Sequence, residues 1–303
     1  MKQDVREMFG DYPGEVRFAE PLAPYTSLKV GGVADAMLFP KSTAEIVTAL
    51  SWIHRHRLPF FVLGKGSNLL IKDGGIAGVV IHPRTNQIVQ NGETELVADS
   101  GVSYPRLSAV AMARGLSGLE FAAGIPGTVG GAVVMNAGIP NEETAAVLSE
   151  IVWIHENGET ERFTRGALSF GYRRSRLPRG IMASASFCLL PASQAVVQEK
   201  LQALLAHRRQ TQPLSDPNMG SVFKNPGGDF AGALIEKVGL KGYQIGDAQI
   251  SPRHANFIVN LGQATARDVL ALIRIMGERV ERECGVTLTL EVQIVGRDER
   301  CPQ

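Results

Sequence analysis

Cysteine is scarce in this 303-residue chain, with only Cys188, Cys284 and Cys301. No two of them form a C-x-x-C pair, and an odd number sets no disulfide framework. That usage fits a reducing compartment, so the chain reads as cytoplasmic. Long apolar runs are missing too. The N-terminus MKQDVREMFGDYPGEV has no signal-peptide core, and no stretch approaches the ~20 apolar residues of a membrane span. Charge of one sign is not in excess: 31 Lys and Arg stand against 30 Asp and Glu, a formal net charge of +1. The whole molecule therefore has no strong field for nucleic acid or an anionic membrane, although a local basic pocket stays open. The six histidines lack ligand spacing with Cys, Asp or Glu, so no metal site is expected. There is no internal repeat and no low-complexity tract.

What is present is 44% hydrophobic content, enough for sizeable cores in two or three compact domains. Ser42 and Glu45 make a capping-box pattern for a helix over 42–56, with Ile46, Leu50 and Ile53 on one face. Short strands are expected at Phe60–Leu63, Leu69–Ile71, Val79–Ile81 and Leu96–Ala98, and a helix at Tyr104–Arg114 closed by Gly115. Glu150–His155 and Thr160–Thr164 flank Asn157-Gly158, a type I′ hairpin signal. Met182–Leu190 reads as a strand, and Pro191 marks a boundary. Helix 193–208 and a polar link at 210–218 follow. Helices are then expected around Phe230–Val238 and at Ala266–Glu283, with a strand at Phe257–Asn260 between them. Thr265 and Asp268 cap the last helix and Gly285 suits its C′ position. A strand over Val286–Val295 should put Val286, Leu288, Leu290, Val292 and Ile294 on one face and Thr287, Thr289, Glu291 and Gln293 on the other.

Glycine is frequent, at 33 residues, and much of it falls in two clusters. The first is Gly64-Lys65-Gly66-Ser67-Asn68-Leu69, directly after a strand. Two glycines let successive N–H groups face an anion, the chemistry of a pyrophosphate cradle. Leu69 stands where a Rossmann fingerprint needs its third glycine, and the segment runs into a strand. A tight strand–turn–strand is the alternative reading. The second cluster is Gly124-Ile125-Pro126-Gly127-Thr128-Val129-Gly130-Gly131-Ala132, leading to Asn136. So many glycines lose much backbone entropy on ordering. Donors aimed at a ligand would justify them, and so would a buried loop packed on another backbone. Together the clusters suggest one extended diphosphate cofactor.

These two loops resemble the FAD-binding loops of vanillyl-alcohol-oxidase-type (PCMH-type) flavoproteins. The segments Thr26-Ser27-Leu28-Lys29-Val30-Gly31-Gly32, Gly171-Tyr172-Arg173-Arg174-Ser175, Gly220-Ser221-Val222-Phe223-Lys224-Asn225-Pro226, His254-Ala255-Asn256-Phe257 and Leu290-Glu291-Val292 are similar to the UDP-N-acetylenolpyruvoylglucosamine reductase family, type II branch. The resemblance runs over about residues 20–296. It implies an α+β chain: a two-part FAD-binding α/β domain (residues 1–82 and 83–192) followed by a smaller α+β substrate-binding domain (193–303). It implies non-covalent FAD held by Gly64, Lys65, Gly66, Ser67, Asn68, Leu69, Gly124, Ile125, Pro126, Gly127, Thr128, Gly130, Gly131, Ala132 and Asn136. NADPH is the implied co-substrate, and a monomer or weak oligomer is expected.

The family reaction reduces a vinyl ether. Hydride passes from NADPH to flavin N5 and then to the substrate methylene, and a proton goes to C2. The resemblance gives Ser221 the role of proton donor, Arg173 the pairing of the substrate carboxylate and growing enolate, and Glu291 the support of Arg173. Tyr172, Lys224 and Asn225 are implied substrate contacts. A sugar or alcohol oxidase of the same fold is the rival, but many of those tether flavin through His or Cys, which neither glycine loop contains. Tyr25, Asp247 and Ile139-Pro140 depart from the family pattern.

Overall fold

Ser42 does begin a helix, Thr43–Arg55, in the computed structural model, which describes residues 5–298. Its Oγ accepts from Glu45 N at 3.2 Å. The other arm of the expected box shifts by one residue, because Glu45 Oε2 takes the N–H of Lys41. Ile46, Ala49, Leu50 and Ile53 recur at helical spacing and are buried against Ala36, Leu38, Val79 and Ile81. Ile46, Leu50 and Ile53 each contribute about 1.5–3 kcal/mol by leaving water.

Two units divide the chain. The first runs up to Phe18 and takes in Asp35–Lys65 and Gly78–His207; the second takes Ala19–Ala34, Gly66–Ala77 and everything from Arg208. The chain therefore passes between them five times, once inside the first glycine loop at Lys65–Gly66.

In the first unit a five-stranded antiparallel sheet has the order Thr160–Thr164, Leu148–His155, Gly180–Cys188, Glu95–Asp99, Ile88–Asn91. Helices Tyr104–Ala113 and Val129–Val134 add Tyr104, Leu107, Val129 and Val133 to its core with Ile151, Trp153 and Phe187. Phe60–Val62 runs parallel to Ile76–Ile81 at the end of a four-stranded sheet completed by Val33–Leu38 and Val16–Pro21.

The second unit has a four-stranded antiparallel sheet in the order Asn218–Ser221, Phe257–Asn260, Ala248–Ile250, Gln244–Ile245. Helix Ala266–Cys284 sets Val269, Leu272, Met276 and Val280 into the core it shares with Met219, Val222, Ile250, Ile258, Leu28 and Leu70. Both arms of its capping box form, and Gly285 closes it at φ 69°. These are the mixed helices and strands of an α+β protein. Among the described residues no helix is long and apolar enough to cross a membrane. No group of three or more His, Cys, Asp or Glu among them could hold a metal ion. Cys188 and Cys284 are free thiols, and Cys301 lies outside the described residues.

Two expectations need correction. The Asn157-Gly158 turn is not type I′, which needs positive φ at both central residues. Only Gly158 is positive, at φ 90°. Gly158 N donates to His155 O and His155 N to Glu159 O, both at 2.8 Å, a type I turn continued by a glycine bulge. Asn157 Oδ1 accepts from Glu159 N at 3.0 Å and fixes this choice. The expected strand over Val286–Val295 is regular only at Gln293–Val295, which pairs in parallel with Leu69–Ile71. Before it the chain crosses Val222–Lys224: Lys224 N donates to Thr289 O and Glu291 N to Val222 O. Leu290, expected inside, is 38% exposed there.

Glu120 is buried in the first unit, 2% exposed. Its carboxylate accepts from Ser117 Oγ at 2.6 Å and Gly118 N at 2.9 Å, with Lys200 Nζ at 3.7 Å. Burial alone would raise its pKa, but these hydrogen bonds and the Lys200 charge hold it below the usual carboxylate value. Such a group adds stability above its unfolded pKa, and the gain disappears as pH falls through the lower folded value. Glu120→Gln is expected to cost about 1.5–3 kcal/mol at pH 7. The difference from the wild type should shrink on acidification below about pH 4. Urea melts across pH check this; a gap independent of pH would reject it.

Candidate active site

Gly64 and the second glycine cluster meet in the first unit. A Cβ on Gly64 would lie 2.8 Å from Thr128 Oγ1, and one on Gly130 would lie 3.1 Å from Ser100 Cβ. Close packing thus accounts for both glycines, against the Thr128 side chain at Gly64 and against Ser100 at Gly130. Thr128 caps helix Val129–Val134, its Oγ1 accepting from Gly131 N at 3.3 Å. The N–H groups of Val129, Gly130 and Ala132 go to the carbonyls of Val102, Ser100 and Thr128 at 2.8–2.9 Å. The second cluster therefore uses most of its helix-end donors internally. Gly124 ends a 3-10 turn over Glu120–Gly124, and Ile125 and the exposed Pro126 lead from it to Gly127.

The first loop is different. Among the described residues, the backbone N–H groups of Gly64, Lys65 and Gly66 are given to no acceptor in the chain. Three consecutive open donors at a glycine turn suit a pyrophosphate, so the loop fits an FAD. His82, which the sequence reading missed, braces its entry: Nδ1 lies 2.8 Å from Leu63 O. Burial lowers the pKa of this histidine and favours the neutral ring. Only a histidine directly after the apolar strand Ile76–Ile81 could have pointed to it.

Further along, the same loop belongs to the second unit. Ser27 N donates to Gly66 O at 3.2 Å, and a Cβ on Gly66 would lie 2.6 Å from Tyr25 O. The Thr26–Gly32 motif therefore shapes this end of the loop. Asn68 Nδ2 donates to Glu291 O at 3.1 Å, and Gln293 N to Asn68 O at 3.0 Å. Glu291 N reaches Val222 O at 2.9 Å. A Cβ on Gly220 would lie 3.5 Å from Ser67 O. Hydrogen bonds and close packing thus bring Ser67, Asn68, Gly220-Ser221 and Glu291 together. Gly220 has φ 77°, a conformation other residues rarely adopt, and its N–H is held by Asn218 Oδ1 at 3.0 Å. Ser221 pairs with Phe257 through its backbone and is half-buried.

Asn256 is buried and clamps both polar groups of Phe223, accepting from its N at 2.9 Å and donating to its O at 2.8 Å. It fixes the segment that carries Ser221. His254 Nδ1 accepts from Asn256 N at 3.2 Å, a structural role. Lys224 is half-buried, while Asn225 Oδ1 takes the N–H of Ala231 at the start of a short helix.

Arg173 lies in the first unit. It is the second residue of the turn Tyr172-Arg173 that joins strands Ser169–Gly171 and Arg174–Arg176. Its φ is 54°, strained for a side-chain-bearing residue. Its Nη2 donates to Gly138 O at 2.6 Å, and its guanidinium lies 5.0 Å from the ring centre of Tyr172. Tyr172 is half exposed. Gly138-Ile139 pairs with Glu142-Glu143 across the turn Pro140-Asn141, so the Ile139-Pro140 departure adjoins the seat of Arg173. Tyr25 and Asp247 serve local bonds, to Glu20 at 2.6 Å and from Gln263 N at 2.8 Å.

Residues 34–164 match the family model described as FAD binding domain, and residues 212–295 match UDP-N-acetylenolpyruvoylglucosamine reductase, C-terminal domain. A chitooligosaccharide oxidase structure, 12% identical, shares the fold over 62% of this chain and 44% of its own (TM-score 0.50). By fold and loops the chain is an FAD-binding flavoprotein.

UDP-N-acetylenolpyruvoylglucosamine reductase 2 of Symbiobacterium thermophilum is 45% identical, covering 100% of this chain and 99% of the relative. The Moorella thermoacetica reductase is 44% identical over 91% of this chain and 92% of its own. The crystal structure of the reductase (MurB) from Thermus caldophilus is 37% identical and covers 93% of this chain and 98% of its own, with TM-score 0.80. The chain belongs to the UDP-N-acetylenolpyruvoylglucosamine reductase family.

Proposed function

We propose that this chain reduces UDP-N-acetylenolpyruvoylglucosamine to UDP-N-acetylmuramate for peptidoglycan synthesis in the cytoplasm, using NADPH and non-covalently bound FAD. Relatives similar along their full length carry the name of that reductase. Within the chain, residues 1–82 and 83–192 are read as the flavin-binding subdomains and 193–303 as the substrate-binding domain. The working form is a monomer or weak oligomer.

The observation that carries this reading is the hydrogen bonding of Asn68, in the first glycine loop, to Glu291 and Gln293, together with the bond from Glu291 N to Val222 O beside Ser221. Bound FAD supplies the two-electron relay between NADPH and the enolpyruvyl double bond. Arg173 pairs with the substrate carboxylate and stabilises charge as it builds there. Ser221 delivers its proton to C2; an alcohol suffices as acid because an enolate-like carbon is strongly basic and the geometry is fixed. Glu291 supports Arg173, Lys224 and Tyr172 contact the substrate, and Asn225 shapes the same loop from its cap position.

The test is NADPH oxidation followed at 340 nm with purified holoenzyme. Oxidation should depend on added UDP-N-acetylenolpyruvoylglucosamine, and independence from it would reject the reading. Denaturation should release all the yellow flavin into the supernatant, as neither glycine loop carries a His or Cys for a covalent link. Flavin left on the precipitated chain would favour the oxidase alternative.

A further inference from the structure

Arg173 is held from two sides by one short stretch, Asn136-Ala137-Gly138. Asn136 is fully buried and has φ 44°, so it too occupies the left-handed region. Its Nδ2 donates to Gly171 O at 3.1 Å, and its Oδ1 accepts from Ala145 N at 3.0 Å. Gly171 is the residue from which the Tyr172-Arg173 turn departs. Two residues beyond Asn136, Gly138 O receives the Arg173 guanidinium at 2.6 Å.

The stretch itself is firmly fixed. Ala137 N donates to Ala132 O at 2.8 Å. Ala137 O accepts from Thr144 N at 2.9 Å and from Thr144 Oγ1 at 2.7 Å. Thr144 Oγ1 also lies 2.9 Å from the hydroxyl of Tyr104, which is fully buried. One rigid segment thus sets both the root of the turn and the seat of the cation.

The resemblance implied a cofactor contact for Asn136. With no surface exposed and both ends of its amide engaged inside the protein, the side chain has a different partner. We propose that Asn136 is a positioning residue for Arg173. By holding Gly171 O it keeps Arg173 in its strained conformation and fixes where the guanidinium meets the substrate carboxylate. The inference rests on the reductase reading for its kinetic consequence, but not for its structural one.

Asn136→Asp keeps the acceptor for Ala145 N and the tolerance of positive φ, but turns the donor into an acceptor facing Gly171 O. A displacement of about 1 Å at a reacting group costs on the order of 100-fold. In holoenzyme with full flavin content, Asn136→Asp should slow reoxidation of reduced flavin by UDP-N-acetylenolpyruvoylglucosamine by about 30–100-fold. Flavin reduction by NADPH should stay within about threefold. A residue acting through another shows strong coupling, so in an Arg173→Lys background the same substitution should cost less than about threefold. Equal loss in both half-reactions, or full additivity with Arg173→Lys, would overturn the proposal.

If Asn136→Asp does not fold, Asn136→Gly retains the positive φ and removes both side-chain bonds; the same outcomes apply. A crystal structure of either variant gives an independent readout. The Arg173 Nη2 to Gly138 O bond should be lost and the 172–173 turn rebuilt, and an unchanged turn would also overturn the proposal. Wild-type enzyme that fails to pass electrons to the sugar nucleotide would instead reject the reductase reading, leaving that structure to decide the role of Asn136.

Discussion

Arg173→Lys is expected to lower reduction of the enolpyruvyl sugar nucleotide by about 10²–10³, the loss typical of removing one donor to a developing oxyanion. Flavin reduction by NADPH should change by no more than about threefold, because in this proposal Arg173 serves only the carboxylate; the tolerance reflects ordinary indirect effects of substitution. The reason is geometric. One nitrogen of the guanidinium is already tied to Gly138 O at 2.6 Å. A planar fork can keep that bond and still present further donors to a carboxylate, whereas an ammonium offers a single point of charge. The substitution keeps net charge, and both residues meet the same backbone strain at φ 54°. A fall in turnover would therefore report the fork itself. Stopped-flow measurement of the two half-reactions separates the outcomes. Near-normal reoxidation by the sugar nucleotide would remove Arg173 from the transition state.

Ser221→Ala should lower the same half-reaction by about 10²–10⁴, the usual contribution of a positioned acid. Flavin reduction by NADPH should remain nearly intact. The variant is a clean probe because Ser221 is held by its backbone pairing with Phe257. Its neighbour Gly220 is fixed by Asn218 Oδ1. Removing an oxygen with no hydrogen-bond partner among the described residues orphans no buried group, so the melting free energy should move by less than about 0.5 kcal/mol. Rapid-mixing traces read the kinetics, and a thermal melt reads the stability. Equal damage to both half-reactions would reject Ser221 as the dedicated donor.

Much of the fold was legible where local chemistry and tertiary packing agree. Thr265, Asp268 and Gly285 announce the ends of helix Ala266–Cys284, and the structure uses all three as expected. Strand Phe257–Asn260 appears with the expected bounds, because a short buried apolar run has few other uses. Over 286–289 the in-and-out alternation is present, yet no regular strand forms. Burial on the core imposes the period, whereas a ladder needs a partner that the sequence does not name. Asn157-Gly158 suits two turns equally well, and the pairing of Ile154 with Thr160 decides the loop length.

The glycine clusters show the same limit at the site. Gly64 and Gly130 lack a Cβ because Thr128 and Ser100 stand against them, while the open donors lie at 64–66. Ligand approach and close internal packing demand the same residue, so composition cannot separate them. The link from Asn68 to Glu291 spans 223 positions and was invisible to local reading. Only the family resemblance put Glu291 beside the chemistry; its strand pattern taken alone pointed to water.

Leu28 and Leu70 lie in one core with Met219, Val222 and Ile258. A ribosome working at about 5–20 residues per second needs roughly 7–30 s after Leu70 emerges to deliver Met219. For that interval Leu28, Val30 and Leu70 lack the Met219, Val222 and Ile258 side chains that finally cover them. The nascent chain is thus a natural client for holding chaperones, and a message cut short before the last hundred codons would yield a sticky product rather than a smaller working one.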